Sequence, residues 1–401
     1  MTDKQTVKFG DICREVKLTT KDPIADGYER YIGLEHLDSG SLKIKRWGMI
    51  AEDNPSFTRV FKKGHILFGR RRPYLKKAAI AEFDGICSGD IIVMEPASDV
   101  KDLFPFIVQS KDFWEWSVQT SSGSLSPRTK FKSLVNYELA IPDFNGRKLL
   151  LGEVKKSNEV VKTTDLLIDA QEQLIKSQYY KTFKQELGID DDATYPLRIY
   201  STSTVDIKLL KELLLNKPQN GQFVKKGSGG SVDCSFLNVV DGYVNSYSTE
   251  DRREIISCSQ SEFDKYSLKN GDILFNRSSL VKSGIGWPFL VLNETKQSTF
   301  DCHLIRVNVD PEIILPEYLY IYALSPWARK YFLCVGQTTT MTTISQSEIE
   351  NFPVPVPSIY KQKEIVTTFS NLFTLKSRFA EHVKFVSLLS AEYINKNLKA
   401  D

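Results

Sequence analysis

The chain has 401 residues, of which 41% are hydrophobic and 26% charged, and its formal net charge is +3. This length exceeds the roughly 250–300 residues at which a single core stops growing, so at least two domains are expected. The net charge is too small to identify a partner, so the positions of the cations must do so. No stretch resembles a membrane span and residues 1–5 lack a signal-peptide pattern, so we expect a cytoplasmic protein.

Cysteine usage indicates neither a disulfide framework nor a metal site. The six cysteines lie far apart in the sequence and form no C-x-x-C pair. Zinc sites and redox motifs need such close spacing. Isolated thiols are typical of a reducing compartment.

Residues 1–145 are predicted to form a mixed α/β domain. Short apolar, β-branched runs bounded by Gly, Pro or Asp predict strands at residues 66–68, 91–94 and 139–141. Residues 104–118 carry aromatic side chains at helical spacing and predict one helix.

A run of cations follows the first of these predicted strands. Residues 61–80 hold seven Lys or Arg residues and no carboxylate. Guanidinium groups fixed at a strand end bind phosphates and guanine edges, the latter for about 1–3 kcal/mol of base discrimination. The alternative is a solvated loop that only maintains solubility, but the lack of acid favours nucleic acid. The predicted contacts are Arg70, Arg71, Arg72, Tyr74, Lys76 and Lys77.

A second loop of this domain, residues 121–132, combines hydroxyl groups with three cations. Such side chains both position phosphates and hydrogen-bond to base edges. The predicted contacts in this loop are Ser124, Arg128, Thr129 and Lys130.

Residues 146–187 are predicted to form a long helix. Apolar residues recur at every seventh position, as in the seam of a coiled coil, at Val154, Val161, Ile168 and Ile175. The interleaved seam positions are polar, at Ser157, Thr164, Gln171 and Gln178, so this helix needs a partner. Gly188 is placed to end the helix, and residues 187–196 are predicted to form a linker that contains an acidic run.

Residues 188–358 are predicted to form a second domain that repeats the first. The string Lys63-Gly64-His65-Ile66-Leu67-Phe68-Gly69-Arg70 returns, 207 positions later, as Asn270-Gly271-Asp272-Ile273-Leu274-Phe275-Asn276-Arg277. Residues 9–12, Gly123 and residues 141–142 align in the same order with residues 210–213, Gly336 and residues 356–357. This pattern indicates a duplicated module, and chance matching of short strings is the alternative.

The second domain carries different side chains in the matching loops. In place of the arginine cluster, the predicted contacts are Asn276, Arg277, Ser278, Ser279 and Lys282. In place of residues 121–132, they are Gln337, Thr338, Thr339, Thr340 and Thr342. Because an amide such as that of Gln337 recognises adenine whereas Arg recognises guanine, the two domains are predicted to read different sequences. Residues 225–231 are predicted to be a flexible loop.

Residues 359–401 are predicted to form a second long helix. Its seam positions again recur every seven residues, at Ile365, Leu372, Phe379, Val386 and Tyr393. Two helices of about 40 residues would each be roughly 60 Å long. The alternative is that each helix packs on its own domain, but a domain of about 150 residues has a radius of gyration of only about 15 Å. Antiparallel pairing of the two helices is therefore predicted.

Sequence strings that imitate catalytic sites are incomplete. Asn54-Pro55-Ser56-Phe57 approximates a base-holding motif of amino-methyltransferases, but no Gly-rich loop for a methyl donor accompanies it. Pro142-Asp143 with Glu153-Val154-Lys155 imitates a nuclease signature, but Val154 has helical periodicity. Asp301-Cys302-His303 is too compact for a convincing metal site. The sequence predicts no catalytic residue and no metal.

Taken together, these motifs resemble the specificity subunits of type I restriction-modification systems. The resemblance rests on the two Gly-x-Ile-Leu-Phe strings, the aromatic helix followed by Gly123 or Gly336, and the Pro-marked strand ends that precede both long helices. Residues 355–365 are especially similar to the start of that family's conserved helix. Residues 141–148 depart from it because they lack the usual Glu-Gln pair.

The resemblance implies an α+β fold, with two similar α/β target-recognition domains separated by a long antiparallel two-helix coiled coil. Each domain would read half of a bipartite site in double-stranded DNA, and the helices would set the spacer. The chain itself would bind no cofactor. Its partners would be two methyltransferase subunits, which bind S-adenosylmethionine, and restriction subunits. The alternatives are an orphan DNA methyltransferase or nuclease with a degenerate site, and a coiled-coil scaffold that does not bind DNA.

Overall fold

The computed structural model describes residues 4–192, 198–224, 230–244, 253–292, 297–338 and 340–400. The predicted contact Thr339, part of the predicted linker and most of the predicted loop at residues 225–231 lie outside the described residues. The chain divides into two compact units, one of residues 1–165 and 382–401 and the other of residues 166–381. Both contain helices and strands, which confirms the mixed fold class. Each described helix is too short or too polar to cross a membrane.

The first unit is built from short elements. Its strands are Lys4–Lys8, Cys13–Glu15, Arg30–Ile32, Gly48–Met49, Arg59–Phe61, Ile66–Gly69, Ala78–Ile80, Gly85–Cys87, Ile91–Pro96 and Glu138–Pro142. Its short helices are Phe9–Ile12, Ile50–Asp53, Phe104–Gln109, Lys111–Gln119 and Phe131–Leu134, with single 3-10 turns at Leu34–His36, Pro73–Leu75 and Ser98–Val100. The three strands predicted from apolar runs are confirmed.

Two sheets and a strand pair organise this unit. The antiparallel sheet has the order Cys13–Glu15, Ile91–Pro96, Ile66–Gly69, Ala78–Ile80. The mixed sheet has the order Gly48–Met49, Arg30–Ile32, Gly85–Cys87, Arg59–Phe61, and its two middle strands are parallel. Separately, Lys4–Lys8 pairs antiparallel with Glu138–Pro142.

The second unit is also built from short elements. Its strands are Ile189–Asp191, Ile199–Ser201, Asp206–Leu209, Gln219–Asn220, Val232–Leu237, Glu254–Cys258, Ile273–Asn276, Ser278–Ser279, Pro288–Leu290, Ser298–Phe300, Leu304–Val307, Gln337–Thr338, Thr342–Thr343 and Pro353–Val356. Its short helices are Val239–Val244, Gln260–Tyr266, Pro316–Ala323, Pro326–Val335 and Gln346–Glu350, with 3-10 turns at Leu210–Glu212 and Lys282–Gly284.

The strand order of the first unit recurs in the second. An antiparallel sheet has the order Gln219–Asn220, Leu304–Val307, Ile273–Asn276, Pro288–Leu290. In a second sheet, Val232–Leu237 pairs antiparallel with Glu254–Cys258 and parallel with Ser298–Phe300. Asp206–Leu209 pairs antiparallel with Pro353–Val356, as the first and last strands of the first unit do. The repeated strings therefore hold the same central strand in both units, Ile66–Gly69 and Ile273–Asn276.

Aromatic packing fixes a pair of helices beside each central strand. In the first unit Phe68 stacks on Trp114 at a ring-centroid distance of 4.8 Å. In the second unit Phe275 packs on Phe332 at 5.5 Å. These rings are buried, and each contributes about 1.5–3 kcal/mol through burial alone. The loop that follows each helix pair is consequently held close to the end of the central strand.

Two long helices follow these domains. The mid-chain helix, Phe144–Tyr179, continues as a π-helical segment, Tyr180–Glu186, and the C-terminal helix is Ile359–Leu398. Within the second unit, Gln171 Nε2 donates to the Leu372 carbonyl at 2.5 Å, and the Tyr179 ring lies 4.5 Å from that of Phe369. Because the residue number falls in one helix as it rises in the other, the two segments are antiparallel there.

The two long helices also contact each other within the first unit. Leu150 and Val154 of the mid-chain helix share a buried cluster with Ile394 and Leu398 of the C-terminal helix. The seam positions predicted on the mid-chain helix, including the polar ones, are buried or half-buried. Several apolar residues between them are exposed, including Leu149, Leu166, Leu167 and Leu174. The seven-residue spacing therefore identified the inward face of this helix.

The predicted seam is wrong at its C-terminal end. Tyr393 is 39% exposed, whereas the next residue, Ile394, is 8% exposed. An α-helix of 3.6 residues per turn drifts by about 20° per seven residues, so over the four repeats from Ile365 the buried face moves by nearly one residue. Leu372, Phe379 and Val386 are half-buried and Ile365 is buried.

The prediction of one helix at residues 104–118 is also wrong, because the structure has two helices there. Ser110 has an extended backbone, with φ −61° and ψ 145°, and its hydroxyl accepts from Phe113 N. Serine is a favourable N-cap, so it ends Phe104–Gln109 and starts Lys111–Gln119.

Candidate nucleic-acid interface

In the first unit the two loops predicted to bind nucleic acid lie side by side. Arg70 follows the central strand, and its carbonyl accepts from Thr129 N at 3.0 Å. Arg72 N donates to the Pro127 carbonyl at 2.7 Å. These backbone bonds hold the arginine cluster and residues 121–132 together as one surface.

The arginine loop has an unusual backbone. Arg72 and Lys76 have φ values of +51° and +50°, in the left-handed region that non-glycine residues rarely adopt. The single turn Pro73–Leu75 lies between them, and Lys76 N bonds to the Pro73 carbonyl at 2.9 Å. Each such residue costs on the order of 1–3 kcal/mol, and residues of this kind cluster at functional sites.

Part of the positive charge is neutralised by a carboxylate outside the acid-free window. Asp90 Oδ1 and Oδ2 accept from Arg128 Nε at 2.7 Å and Nη2 at 3.2 Å. Arg71 Nη1 lies 3.8 Å from the same carboxylate, and Arg71 Nε donates to Ser126 Oγ at 2.7 Å. The hydrogen bonds from Arg128, together with the nearby Arg71 charge, lower the pKa of Asp90. Asp90 therefore stays ionised and holds these arginines.

The other cations of this surface differ in whether their side chains are exposed or are bonded within the unit. Arg72, Lys76 and Lys130 are exposed and form no ion pair with any described residue. Tyr74 and Ser124 are also exposed, and Arg70 is half-buried. Lys77 instead donates to the Leu34 carbonyl at 2.7 Å, so its ammonium group is partly occupied within the unit.

In the second unit the matching loops are joined in the same way. The Arg277 carbonyl accepts from Ile344 N at 3.0 Å, as the Arg70 carbonyl accepts from Thr129 N. Ser278–Ser279 pairs antiparallel with Thr342–Thr343, which also pairs with Gln337–Thr338. The three short strands form one small sheet at the end of the central strand.

The exposed chemistry of this second surface is mostly uncharged. Gln337, Thr338 and Thr340 are exposed, as is the cation Lys282. Ser278, Ser279 and Arg277 are half-buried. The two surfaces thus have similar backbones, but one is rich in arginine and the other in amides and hydroxyls.

Among the predicted contact residues that the structure describes, three are buried, and their side chains bond within the protein. Thr129 Oγ1 lies 3.4 Å from Thr120 Oγ1, and Thr342 Oγ1 lies 3.0 Å from Thr338 Oγ1. Asn276 Nδ2 donates to the Gly284 carbonyl at 2.9 Å. A polar side chain beside a strand end satisfies loop backbone as readily as it binds a ligand, and sequence pattern does not separate these roles.

Sequence reasoning missed two features of these surfaces. Asp90 precedes the strand Ile91–Pro96, and the pairing of Ile91 with Gly69 places it beside Arg70. Predicting that these two strands are antiparallel neighbours would have found it. In the second unit Leu280 and Val281, beside the serine pair, are exposed by 81% and 66%. Exposed apolar residues at such a place are suited to contact with a thymine methyl group.

The strings that imitate catalytic sites are placed in helices and turns. Asp143 Oδ1 accepts from Gly146 N at 2.8 Å at the start of the mid-chain helix, and Glu153 pairs with Lys156 on that helix at 2.9 Å. This agrees with the helical reading of the nuclease-like signature. Asn54 ends a short helix with φ +43°, in agreement with the turn reading.

Asp301, Cys302 and His303 form a compact group in a turn. One ligand atom from each lies within 4.8 Å of the others. Burial, and then the Asp301 charge, raise the pKa of the Cys302 thiol. This spacing would allow the three side chains to hold a metal ion together. That the group holds no metal stays a prediction from the sequence.

Comparison with known proteins relates the chain to one class of DNA-specificity proteins. Residues 219–384 match the family described as the type I restriction modification DNA specificity domain. The chain is 29% identical over 178 residues to the EcoKI specificity subunit of Escherichia coli K12, covering 44% of this chain and 38% of that protein. It is 24% identical over 182 residues to the Escherichia coli EcoDI specificity subunit, covering 44% and 41%. The matches thus span about two fifths of these relatives.

A solved structure from a type I restriction-modification system has a similar fold. It covers 100% of this chain and 99% of its own, with a TM-score of 0.59 and 18% identity.

Proposed function

We propose that this chain, a relative of the type I restriction-modification specificity subunits, is itself a DNA-binding specificity subunit. Each unit reads one half of a bipartite site in double-stranded DNA. The observation that carries this proposal is the repeated loop pair, joined by Thr129 to Arg70 in one unit and by Ile344 to Arg277 in the other. Equivalent backbones with different side chains suit two readers of different sequences.

The two long helices act as the spacer in this proposal, pairing as an antiparallel coiled coil that keeps two target-recognition domains apart. Support comes from each unit separately. In the second unit Lys376 pairs with Glu172 at 2.6 Å and Lys361 with Glu186 at 2.7 Å. In the first unit Leu150 and Val154 of the mid-chain helix share a buried cluster with Ile394 and Leu398 of the C-terminal helix. Such contacts set the register of paired helices.

The chain contributes recognition rather than catalysis. The methyl donor S-adenosylmethionine is bound by methyltransferase subunits, two of which dock on this chain, and restriction subunits complete the assembly. This chain binds no cofactor of its own. Its share of the work is to place the partner enzymes at a chosen sequence.

Methylome sequencing tests the proposal directly. Cells that express this chain with its methyltransferase partners should acquire methylation at one split motif with an invariant spacer. The purified chain should bind DNA that carries this motif more tightly than other DNA. Its affinity should fall as the salt concentration rises, since phosphate contacts release counterions. A continuous motif, or none, would contradict the proposal. Retention without sequence preference would count against it as well.

A donor-binding titration separates this function from that of an orphan methyltransferase. The isolated chain should not bind S-adenosylmethionine, whereas the complex with methyltransferase subunits should. Saturable binding to the isolated chain would favour the enzyme. A coiled-coil scaffold, by contrast, would not select any DNA sequence.

A further inference from the structure

We propose that Asp90 determines base specificity, by holding Arg128 so that the free edge of its guanidinium reads a guanine in the half-site of the first unit. This inference rests on the proposed function. It assigns a role to a residue that lies outside the cation-rich loops and carries the opposite charge.

The hydrogen bonds define which edge of Arg128 remains free. A guanidinium carries five N–H groups in one planar fork. Asp90 accepts from Nε and Nη2 on one edge, at 2.7 and 3.2 Å. The edge formed by Nη1 and the second N–H of Nη2 then stays available. That edge matches the O6 and N7 acceptors of guanine in the major groove.

Both ends of this arrangement are fixed by the backbone. Arg128 N donates to the Ser122 carbonyl at 2.8 Å, and the Arg128 carbonyl accepts from Ser122 N at 3.0 Å. The Asp90 carbonyl accepts from Arg70 N at 2.9 Å, and Asp90 N donates to Ser88 Oγ at 3.2 Å. A flexible side chain held in one orientation loses less freedom on binding, so the geometry favours selective contact.

The carboxylate reaches a second arginine from the same place. Arg71 Nη1 lies 3.8 Å from Asp90 and is held from its other side by Ser126. The side chains of Arg71 and Arg128 are each more than 40% exposed despite these contacts. Asp90 thus orients cations on the surface without burying them.

The second unit replaces both members of this pair. Arg277 N donates to the His303 carbonyl at 2.7 Å, as Arg70 N does to Asp90, so His303 occupies the position of Asp90. Thr343 pairs with Ser278 as Arg128 pairs with Arg71, so Thr343 occupies the position of Arg128. The acid and its arginine are absent together from the second surface, whose exposed side chains are mostly amides and hydroxyls. This joint replacement suits a pair that reads one base.

A competing account is that Asp90 only lowers the charge of a crowded cationic loop. Removing it would then strengthen binding to every DNA sequence and steepen the dependence on salt. Preorganisation makes a different prediction, namely that discrimination is lost at one base pair and kept elsewhere. The two accounts are therefore separable by measuring specificity and affinity together.

The test uses the full chain and a duplex carrying the motif found by methylome sequencing. Each guanine of the first half-site is replaced in turn by 7-deazaguanine, which pairs normally but lacks the N7 acceptor. For the unaltered chain one replacement should weaken binding by about tenfold. For Asp90→Ala and Arg128→Ala the same replacement should change binding by less than about twofold. Discrimination in the second half-site should be unchanged.

Asp84→Ala is the matched control. Asp84 is an exposed carboxylate of the first unit and pairs with Lys62 Nζ at 2.9 Å, so its removal changes the net charge as much as removal of the half-buried Asp90 does. This variant should keep the full tenfold discrimination. If Asp90→Ala folds poorly, Asp90→Asn is used instead, because it retains the shape and one acceptor. This variant should reduce the tenfold discrimination to about threefold.

Three results would overturn the inference. Asp90→Ala could keep the discrimination of the unaltered chain, or it could tighten binding to all sequences with a steeper salt dependence. Alternatively, no guanine of the first half-site would respond to 7-deazaguanine. After any of these results, the proposed function still holds if the unaltered chain binds a split motif selectively. If the unaltered chain shows no sequence selectivity, the proposed function is itself wrong.

Discussion

The residue after the turn glycine differs between the two units yet makes the same hydrogen bond. His65 Nδ1 accepts from Lys62 N at 3.1 Å, and Asp272 Oδ2 accepts from Lys269 N at 3.0 Å. Gly64 precedes His65 with φ +91°, and Gly271 has φ +90°, a conformation that glycine adopts without steric cost. The turn thus needs an acceptor at this position rather than a particular side chain.

This acceptor role makes the first unit sensitive to acid. Burial lowers the pKa of His65, although the nearby Glu95 and Asp84 charges act in the opposite direction. The neutral imidazole must carry its proton on Nε2, since Nδ1 accepts. The unfolded chain has an ordinary histidine pKa near 6.5, so it binds the proton more readily than the folded chain. Stability should therefore fall as the pH drops below about 6.5, until the lower folded pKa is passed.

We expect the melting temperature of the first unit to fall, through His65, between about pH 7.5 and pH 5.5, because the unfolded chain binds the proton more readily than the folded chain. His65→Asn supplies an acceptor near the Nδ1 position but does not titrate, so its melting temperature should fall less. Differential scanning calorimetry of both proteins measures the difference. Identical pH dependence in the two would show that the imidazole does not have this role.

At the scale of elements, strands were predicted more successfully than their pairing. The central strand Ile66–Gly69 is a buried apolar run bounded by glycine, which is a local signal. The neighbour that brings Asp90 to Arg70 depends on contact between distant segments, which no local pattern records. The helix break at Ser110 was missed because aromatic spacing continues across it, whereas the serine hydroxyl ends the first helix.

Helix periodicity had a similar limit. Exact seven-residue spacing predicted the inward positions near the start of the C-terminal helix, including the buried Ile365. The same spacing failed at Tyr393, since 3.6 residues per turn shift the inward face steadily along a long helix. A pattern with a slightly longer period would have selected Ile394.

Contact between the two long helices should contribute much of the stability of the second unit. The Phe369 ring is fully buried and lies 4.5 Å from Tyr179 and 6.3 Å from Phe183. Phe369→Ala removes this ring from the core and should lower the free energy of unfolding by about 3–5 kcal/mol. Urea unfolding followed by circular dichroism measures the change.

Tyr360→Ala is the control for this prediction, because it removes an aromatic ring from the same helix and the same unit at a site that is 80% exposed. Its effect should stay within about 0.5 kcal/mol. Equal losses for both variants would mean that burial of Phe369 is not what stabilises the second unit.

At the scale of the whole molecule, a substitution in one recognition surface should impair recognition of one half-site and leave recognition of the other unchanged. Arg71→Ala removes a cation from the first surface and should weaken recognition of one half-site by about 1–3 kcal/mol. Lys282→Ala removes the exposed cation of the second surface and should weaken binding without altering preference in the first half-site. Binding to duplexes with one scrambled half-site distinguishes these effects. Relaxed preference in both half-sites after Arg71→Ala would contradict separate readers.

The spacer should depend on the packing between helices and not on either reading surface. Phe379 is half-buried on the C-terminal helix, so Phe379→Asp places a charge where it cannot be fully hydrated. We expect the variant, assembled with its partner subunits, to methylate motifs with altered or variable spacers while both half-sites keep their bases. Ser377→Asp adds the same charge at an exposed position two residues away and should leave the spacer unchanged. Methylome sequencing measures both the spacer length and the bases of the half-sites. If Phe379→Asp kept the spacer of the unaltered chain, packing at Phe379 would not set the distance between the half-sites.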